Sequence, residues 1–198
     1  MIRIVTDSAA DLTAAELSAP GVFVVPLSVT FADGTTQLDD GTMTKDEFFV
    51  RLAEDSKLPR TSQPSPASFM QLYEDAAAAG DEVVVITIGQ KLSGTYQCAH
   101  LAAADVGLQA HIVDSEAASQ GEALLVREAV RLRDEEGLTA EEIAAVLEQF
   151  KKRVRIVAVV DSLKHLQKGG RLPAAVALVG GALGIKPVLA LQDGAIKL

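Results

Sequence analysis

Val83-Val84-Val85-Ile86-Thr87-Ile88 runs through Gly89-Gln90 into Lys91-Leu92-Ser93-Gly94-Thr95-Tyr96. A β-branched run of this kind reads as a buried strand, and here it discharges through a hydroxyl-rich turn into a loop that opens a helix. In an open α/β sheet the crevice outside the carboxyl ends of the strands is the usual ligand seat. A helix N-terminus there offers unpaired N–H groups and a positive dipole end to an anion. A second hydroxyl cluster, Thr61-Ser62-Gln63-Pro64-Ser65, stands in the loop before another helix. The two clusters together make a candidate seat for a carboxylate or a phosphate.

Similar apolar runs recur at Ile2 to Val5, Val22 to Val29, Ala110 to Val113 and Ile156 to Val160, with helical patterns between most of them. That alternation predicts an α/β fold on a parallel sheet. Helix punctuation is clear. Ser65-Pro66 is an N-cap followed by Pro at the first helical position, Phe69, Leu72, Tyr73 and Ala76 then form one apolar face, and Gly80 closes the helix. Gly107 and Gly137 end helices in the same way, and Glu16, Glu47 and Glu142 each follow a Thr at capping-box spacing. Asp33-Gly34 signals a hairpin, so an antiparallel excursion is expected between Val22 and Leu38.

Thr6-Asp7-Ser8, Val113-Asp114-Ser115 and Val160-Asp161-Ser162 end three strands alike, and each is read as a helix N-cap. Together they crowd polar groups along one rim of the sheet, beside Ser93 and Thr61. A boundary is placed at Arg153, giving a domain over 1–153 and the beginning of a second over 154–198. The latter ends in a hairpin, Val188 to Leu191 and Ala195 to Leu198 around Asp193-Gly194. A final strand so short should seek a partner, either a missing continuation or another subunit.

Composition excludes several classes. With 198 residues, 48% of them hydrophobic, the chain can fill a sizeable core, and 4% aromatics with no Trp leave that core to Ala, Val, Leu and Ile. A formal charge of −9, without a basic stripe carrying aromatics, argues against nucleic acid. Cys98 is the single cysteine, read as a small core residue in a reducing cytosol. The N-terminus enters a strand at once, so no export signal is expected, and a cytoplasmic location follows. Ala174 to Ile185, the longest nearly uncharged apolar stretch, falls short of the roughly 20 residues that span a bilayer. Its glycines, Gly180, Gly181 and Gly184, suit core packing or the close approach of an alkyl chain.

No GxxxxGK[ST] loop, no GxGxxG after the first strand and no metal-spaced His or Cys cluster is present, so NTP, NAD and zinc are disfavoured and no cofactor is expected. Ser93 lacks the GxSxG elbow, and His100 stands about two helical turns away. A serine hydrolase using Ser93 therefore stays only as an alternative, beside a regulatory interaction module. Lys168-Gly169-Gly170-Arg171 is either a Gly-capped helix end or a basic turn that brings a guanidinium to an anion or a partner. The apolar wealth of the chain fits a ligand with an acidic head and a long hydrocarbon tail, since each buried methylene contributes about 0.8 kcal/mol.

Ile4-Val5-Thr6-Asp7-Ser8-Ala9-Ala10-Asp11-Leu12, Val25-Pro26-Leu27, Thr61-Ser62-Gln63-Pro64-Ser65-Pro66, Lys91-Leu92-Ser93-Gly94-Thr95-Tyr96, Val113-Asp114-Ser115, Lys168-Gly169-Gly170-Arg171 and Ile185-Lys186-Pro187 before Asp193-Gly194 together resemble the DegV family of bacterial fatty-acid-binding proteins. The resemblance implies two α/β domains with a long-chain fatty acid, such as palmitate or oleate, between them. It implies that Thr61 and Ser93 hold the carboxylate, with Ser62, Gly94, Thr95 and Arg171 in support. Residues 1–153 would then be the head-group domain and 154–198 the start of an incomplete second one. It further implies a non-catalytic carrier that presents the acid to a separate ATP-using fatty acid kinase, in lipid transport or fatty acid metabolism. With no spanning segment, membrane contact would be transient and at the surface.

Overall fold

The computed structural model describes residues 1–55, 57–172 and 186–198. Its centre is the run quoted first: β6 (Glu82–Thr87) has Val83, Val84, Val85 and Ile86 fully buried. It lies between β1 (Ile2–Asp7) and β7 (His111–Asp114), and β2 (Val22–Val25) completes a parallel sheet of order β2-β1-β6-β7. Both faces of this sheet are covered, which is why its strands read as continuous apolar runs rather than alternating ones. Ile4, Val84, Ile86 and Val113 pack on α5 (Gln120–Arg131) and α6 (Ala140–Phe150) through Leu125, Val126, Ile143 and Leu147. Val5, Val83 and Val85 pack on α3 (Pro66–Ala79) and α4 (Thr95–Val106) through Phe69, Tyr73, Ala76, Ala99 and Ala102.

The helix signals form as read. Thr13, Thr44 and Thr139 each accept from the N–H of the Glu three residues on, and that Glu reaches back, closing capping boxes on α1 (Ala14–Leu17), α2 (Lys45–Glu54) and α6. Ser65 caps α3, and Gly80 and Gly107 end α3 and α4 at φ of 65° and 72°. Gly137 closes a π-helical turn, Leu132–Glu136, that continues α5.

Two expectations about strands need correction. Val22 to Val29 is not one strand, because Pro26 has no N–H for a ladder and the Leu27 N–H donates to Ser8 Oγ at 3.1 Å. The chain leaves the parallel sheet there. β3 (Ser28–Thr30) pairs antiparallel with β4 (Thr36–Leu38) through the expected Asp33-Gly34 hairpin, and also with β5 (Arg60–Ser62). Nor does the run from Ile156 join the parallel sheet. β8 (Ile156–Val159) pairs antiparallel with β9 (Val188–Gln192), which continues into β10 (Ala195–Lys197) through left-handed Asp193 and Gly194. Leu189 of this third sheet packs on Leu163 and Leu172 beside α7 (Lys164–Lys168). Val157, Val159 and Val188 stand exposed on its opposite face. The stretch from Ala174 to Ile185 lies outside the described residues.

Strand order reverses between β1 and β6, since the chain passes from β1 outward to β2 and returns to place β6 on the other flank of β1. A crevice at the carboxyl ends of these two strands is the ligand position this topology favours.

Candidate head-group turn and apolar cavity

The β6–α4 turn is fixed by its backbone donors. Ile88 N donates to Asp7 Oδ2 at 2.8 Å, Gly89 N to the Ala117 carbonyl at 2.8 Å, and Gln90 N to Asp114 Oδ1 at 3.1 Å. Leu92 N and Ser93 N then both return to the Gly89 carbonyl, at 2.8 and 3.2 Å. A Cβ at Gly89 would meet the Ala117 backbone N at 3.3 Å, so the turn packs closely against the segment after β7 and a side chain there would press on it. Ser93, half-buried, accepts weakly from Thr95 N at 3.4 Å and shares a 2.9 Å hydrogen bond with the buried Thr95 hydroxyl. The N-cap of α4, Gly94, has no side chain to offer, and Ser93 stands beside the positive end of that helix.

Thr61 belongs to β5 rather than to a loop, opposite Val29 of β3, and is exposed. It forms part of the wall of a cavity of about 1010 Å³. Val29, Phe31, Phe48 and Leu52 give that cavity apolar sides, with the Phe31 and Phe48 rings 6.4 Å apart. Lys57, Arg60, His165, Lys168 and Arg171 supply basic groups around it, and none of them forms an ion pair among the described residues. Apolar walls with a cationic rim suit an amphiphilic anion, and the volume is at the upper end for small-molecule sites.

Side chains between the two clusters bring them together. A Cβ at Gly94 would fall 2.0 Å from Gln63 Oε1, so the Gln63 side chain lies directly over the Ser93-Gly94 turn. Cys98 Sγ donates to the Pro64 carbonyl at 3.4 Å, seating the rest of that loop on α4. Arg171, which follows the Gly169-Gly170 end of α7, donates from Nε to the Leu92 carbonyl at 3.0 Å. Lys91 Nζ donates to the Asp193 carbonyl at 2.7 Å, so the third sheet also touches the turn. Thr61 and Arg171 lie on the cavity wall, whereas Ser93 lies one residue beyond the carbonyl that Arg171 holds. Among the described residues no hydrogen bond joins Thr61 to Ser93, Ser62 pairs with Ser28 on β3, and Ser93 bonds no histidine. His100 instead stacks edge-on against Tyr96 at 4.6 Å.

Three features were not legible in the sequence: the place of Gln63 over the turn, the basic group Lys57 on the cavity, and the hold of the rim acids on the β6–α4 turn. Asp7 and Asp114 are more than helix caps. Each accepts one local N–H, from Ala9 and Glu116 at 3.0 Å, and a second from the neighbouring turn. The third ending differs, because Ser162 Oγ accepts from Lys164 N while Asp161 pairs with Lys186 at 2.8 Å. Burial pushes the Asp7 carboxyl up to about 6. Glu122 on α5, fully buried and accepting from Thr6 Oγ1 at 3.0 Å, is raised well above the usual range by burial and then by Asp7.

A family model described as "Uncharacterised protein, DegV family" matches residues 1–198. The chain belongs to the DegV family. Among curated relatives, a DegV domain-containing protein of Caldanaerobacter subterraneus subsp. tengcongensis is 37% identical over 198 residues, all of this chain and 70% of the relative. Among solved structures, a DegV family protein of Thermus thermophilus, described by its fatty acid binding, aligns with a TM-score of 0.88 at 39% identity, covering 99% of this chain and 69% of that one. A stearic acid-binding protein of Eubacterium ventriosum aligns with a TM-score of 0.91 at 36% identity, covering 100% and 69%. The α/β architecture with its β2-β1-β6-β7 sheet is therefore the DegV fold. Among the described residues no helix is long and apolar enough to cross a membrane.

Proposed function

We propose that this DegV chain binds a long-chain fatty acid, such as palmitate or oleate, with its hydrocarbon in the 1010 Å³ cavity and its carboxylate between Thr61 and Ser93. The observation that carries this reading is a cavity with Phe31 and Phe48 on its apolar side, Thr61 in its wall and a rim of basic groups, one of which, Arg171, reaches the Leu92 carbonyl beside Ser93. Hydroxyls and N–H groups orient the acid, and tail burial, at about 0.8 kcal/mol per methylene, supplies most of the affinity. Ser62, Gly94, Thr95 and Arg171 support the head-group seat. Residues 1–153 act as the head-group domain and 154–198 as the first part of a second domain. The stearic acid bound by the Eubacterium ventriosum relative supports the ligand class.

In this reading the chain is a cytoplasmic, non-catalytic carrier that needs no cofactor and hands the carboxylate to a separate ATP-dependent fatty acid kinase, in lipid transport or fatty acid metabolism. Native mass spectrometry of the purified chain with oleate tests the binding step: one oleate per chain is expected, and Thr61→Ala with Ser93→Ala should lose it. Full retention of oleate by a folded double variant would contradict the head-group assignment.

A further inference from the structure

The two strands flanking β6 each send a carboxylate to the turn that carries Ser93. Asp7, at the end of β1, accepts Ile88 N, and Asp114, at the end of β7, accepts Gln90 N. These contacts bridge 81 and 24 positions of sequence, so they belong to the tertiary fold and not to local capping. Both side chains are buried, with Asp7 0% and Asp114 5% exposed, and neither forms an ion pair among the described residues. A buried carboxylate without a cation is costly, and a neutral Ser or Asn would cap a strand end as well. At Asp7 the two N–H groups go to different oxygens, Ala9 N to Oδ1 and Ile88 N to Oδ2, which an Asn with one oxygen or a Ser cannot reproduce, whereas at Asp114 both Glu116 N and Gln90 N reach Oδ1.

We propose that Asp7 and Asp114 are positioning residues for the ligand head group, clamping the β6–α4 turn so that Ser93 and the start of α4 face the acid, and that protonation of Asp7 releases the clamp. This rests on the reading of Ser93 as a head-group contact. Ionised Asp7 offers an oxygen to each of Ile88 N and Ala9 N. Once protonated, one of those oxygens becomes a donor facing a donor, and an N–H is left unpaired in a buried site. The neighbouring titratable groups push toward that state. Asp39 after β4 acts on Asp7, and Glu122 on α5 stands close to it under the further influence of Asp11 and Asp114, all of them acidic.

Oleate affinity measured by calorimetry from pH 5 to 7.5 tests the clamp together with the backbone amide resonances of the ligand-free protein. Wild type should bind roughly tenfold more weakly at pH 5 than at 7.5, and the Ile88 and Ala9 amides should titrate together with a midpoint near 6. Asp7→Asn should bind roughly tenfold more weakly at pH 7.5 and lose the part of the pH step that exceeds fatty acid protonation, which is common to both proteins. An Ile88 amide that does not titrate, or a folded Asp7→Asn protein with wild-type affinity and pH profile, overturns the proposal. Should Asp7→Asn not fold, the wild-type amide titration decides by itself. A wild type that takes no oleate while Ile88 titrates with Ala9 removes the fatty-acid reading and leaves the clamp standing.

Discussion

At the scale of single residues the rim of the sheet is unusual for its buried acids. Glu122 has no solvent exposure, accepts one hydroxyl from Thr6, and leaves Oε2 without a partner among the described residues. An acid whose folded pKa is raised binds more protons folded than unfolded, so stability falls as pH rises from its ordinary 4.5 toward the raised value. Glu122→Gln, which mimics the neutral acid, should therefore gain on wild type as pH rises. Its melting temperature relative to wild type should be higher at pH 8 than at pH 5, and a gap that is flat or shrinks with pH contradicts a neutral Glu122. Asp7 follows the same sign: its displacement from 3.8 to about 6 corresponds to roughly 3 kcal/mol that the fold forgoes across that window. A stability cost of that size at a strand end is what a functional constraint looks like. Little of this was legible from residue order. Thr6-Asp7-Ser8 reads locally as a cap, and only the packing of β1 beside β6 brings Asp7 to Ile88.

Whole elements were far more legible where their signals are local. The three capping boxes and the Ser65-Pro66 start of α3 require only neighbours within one helical turn, and all form. Thr139→Ala should lower the melting temperature by about 2–4 °C, because it removes a cap worth about 1 kcal/mol from a helix whose Ile143 and Leu147 are fully buried. Strand partnership is not local, which is why the apolar run from Ile156, though set at the start of a second unit, did not disclose that its partner β9 runs antiparallel. β5 was illegible for another reason, since Arg60, Thr61 and Ser62 are all exposed and carry no alternating pattern. The third sheet meets the first unit closely at Gly121 of α5, where a Cβ would fall 2.2 Å from Ile156 Cδ1 and 3.1 Å from the Ala117 Cβ. Gly121→Ala should destabilise the protein by about 1–3 kcal/mol, read in urea unfolding; no change would mean that β8 is not seated on α5.

The molecule as a whole carries a formal charge of −9, yet Lys57, Arg60, Lys168 and Arg171 gather around one cavity without acidic partners among the described residues. A local positive field on an acidic protein draws a fatty acid anion to that opening and repels it elsewhere. Stopped-flow association of a fluorescent fatty acid should slow as ionic strength rises, and more steeply for wild type than for Lys57→Gln with Lys168→Gln; identical salt slopes would show that these lysines do not steer the ligand. Both hydroxyl clusters and the parallel core are written in local pattern, but this charge arrangement draws on Lys57 between α2 and β5, Arg60 of β5, Lys168 of α7 and Arg171 after it, and no spacing connects them. The central claim is that one acid head lies between Thr61 and Ser93 with its tail along Phe31 and Phe48. A crystal structure with bound oleate tests it most directly: the account predicts carboxylate oxygens within about 3 Å of both hydroxyl oxygens. An oleate held elsewhere, or a carboxylate that contacts neither hydroxyl, would contradict it.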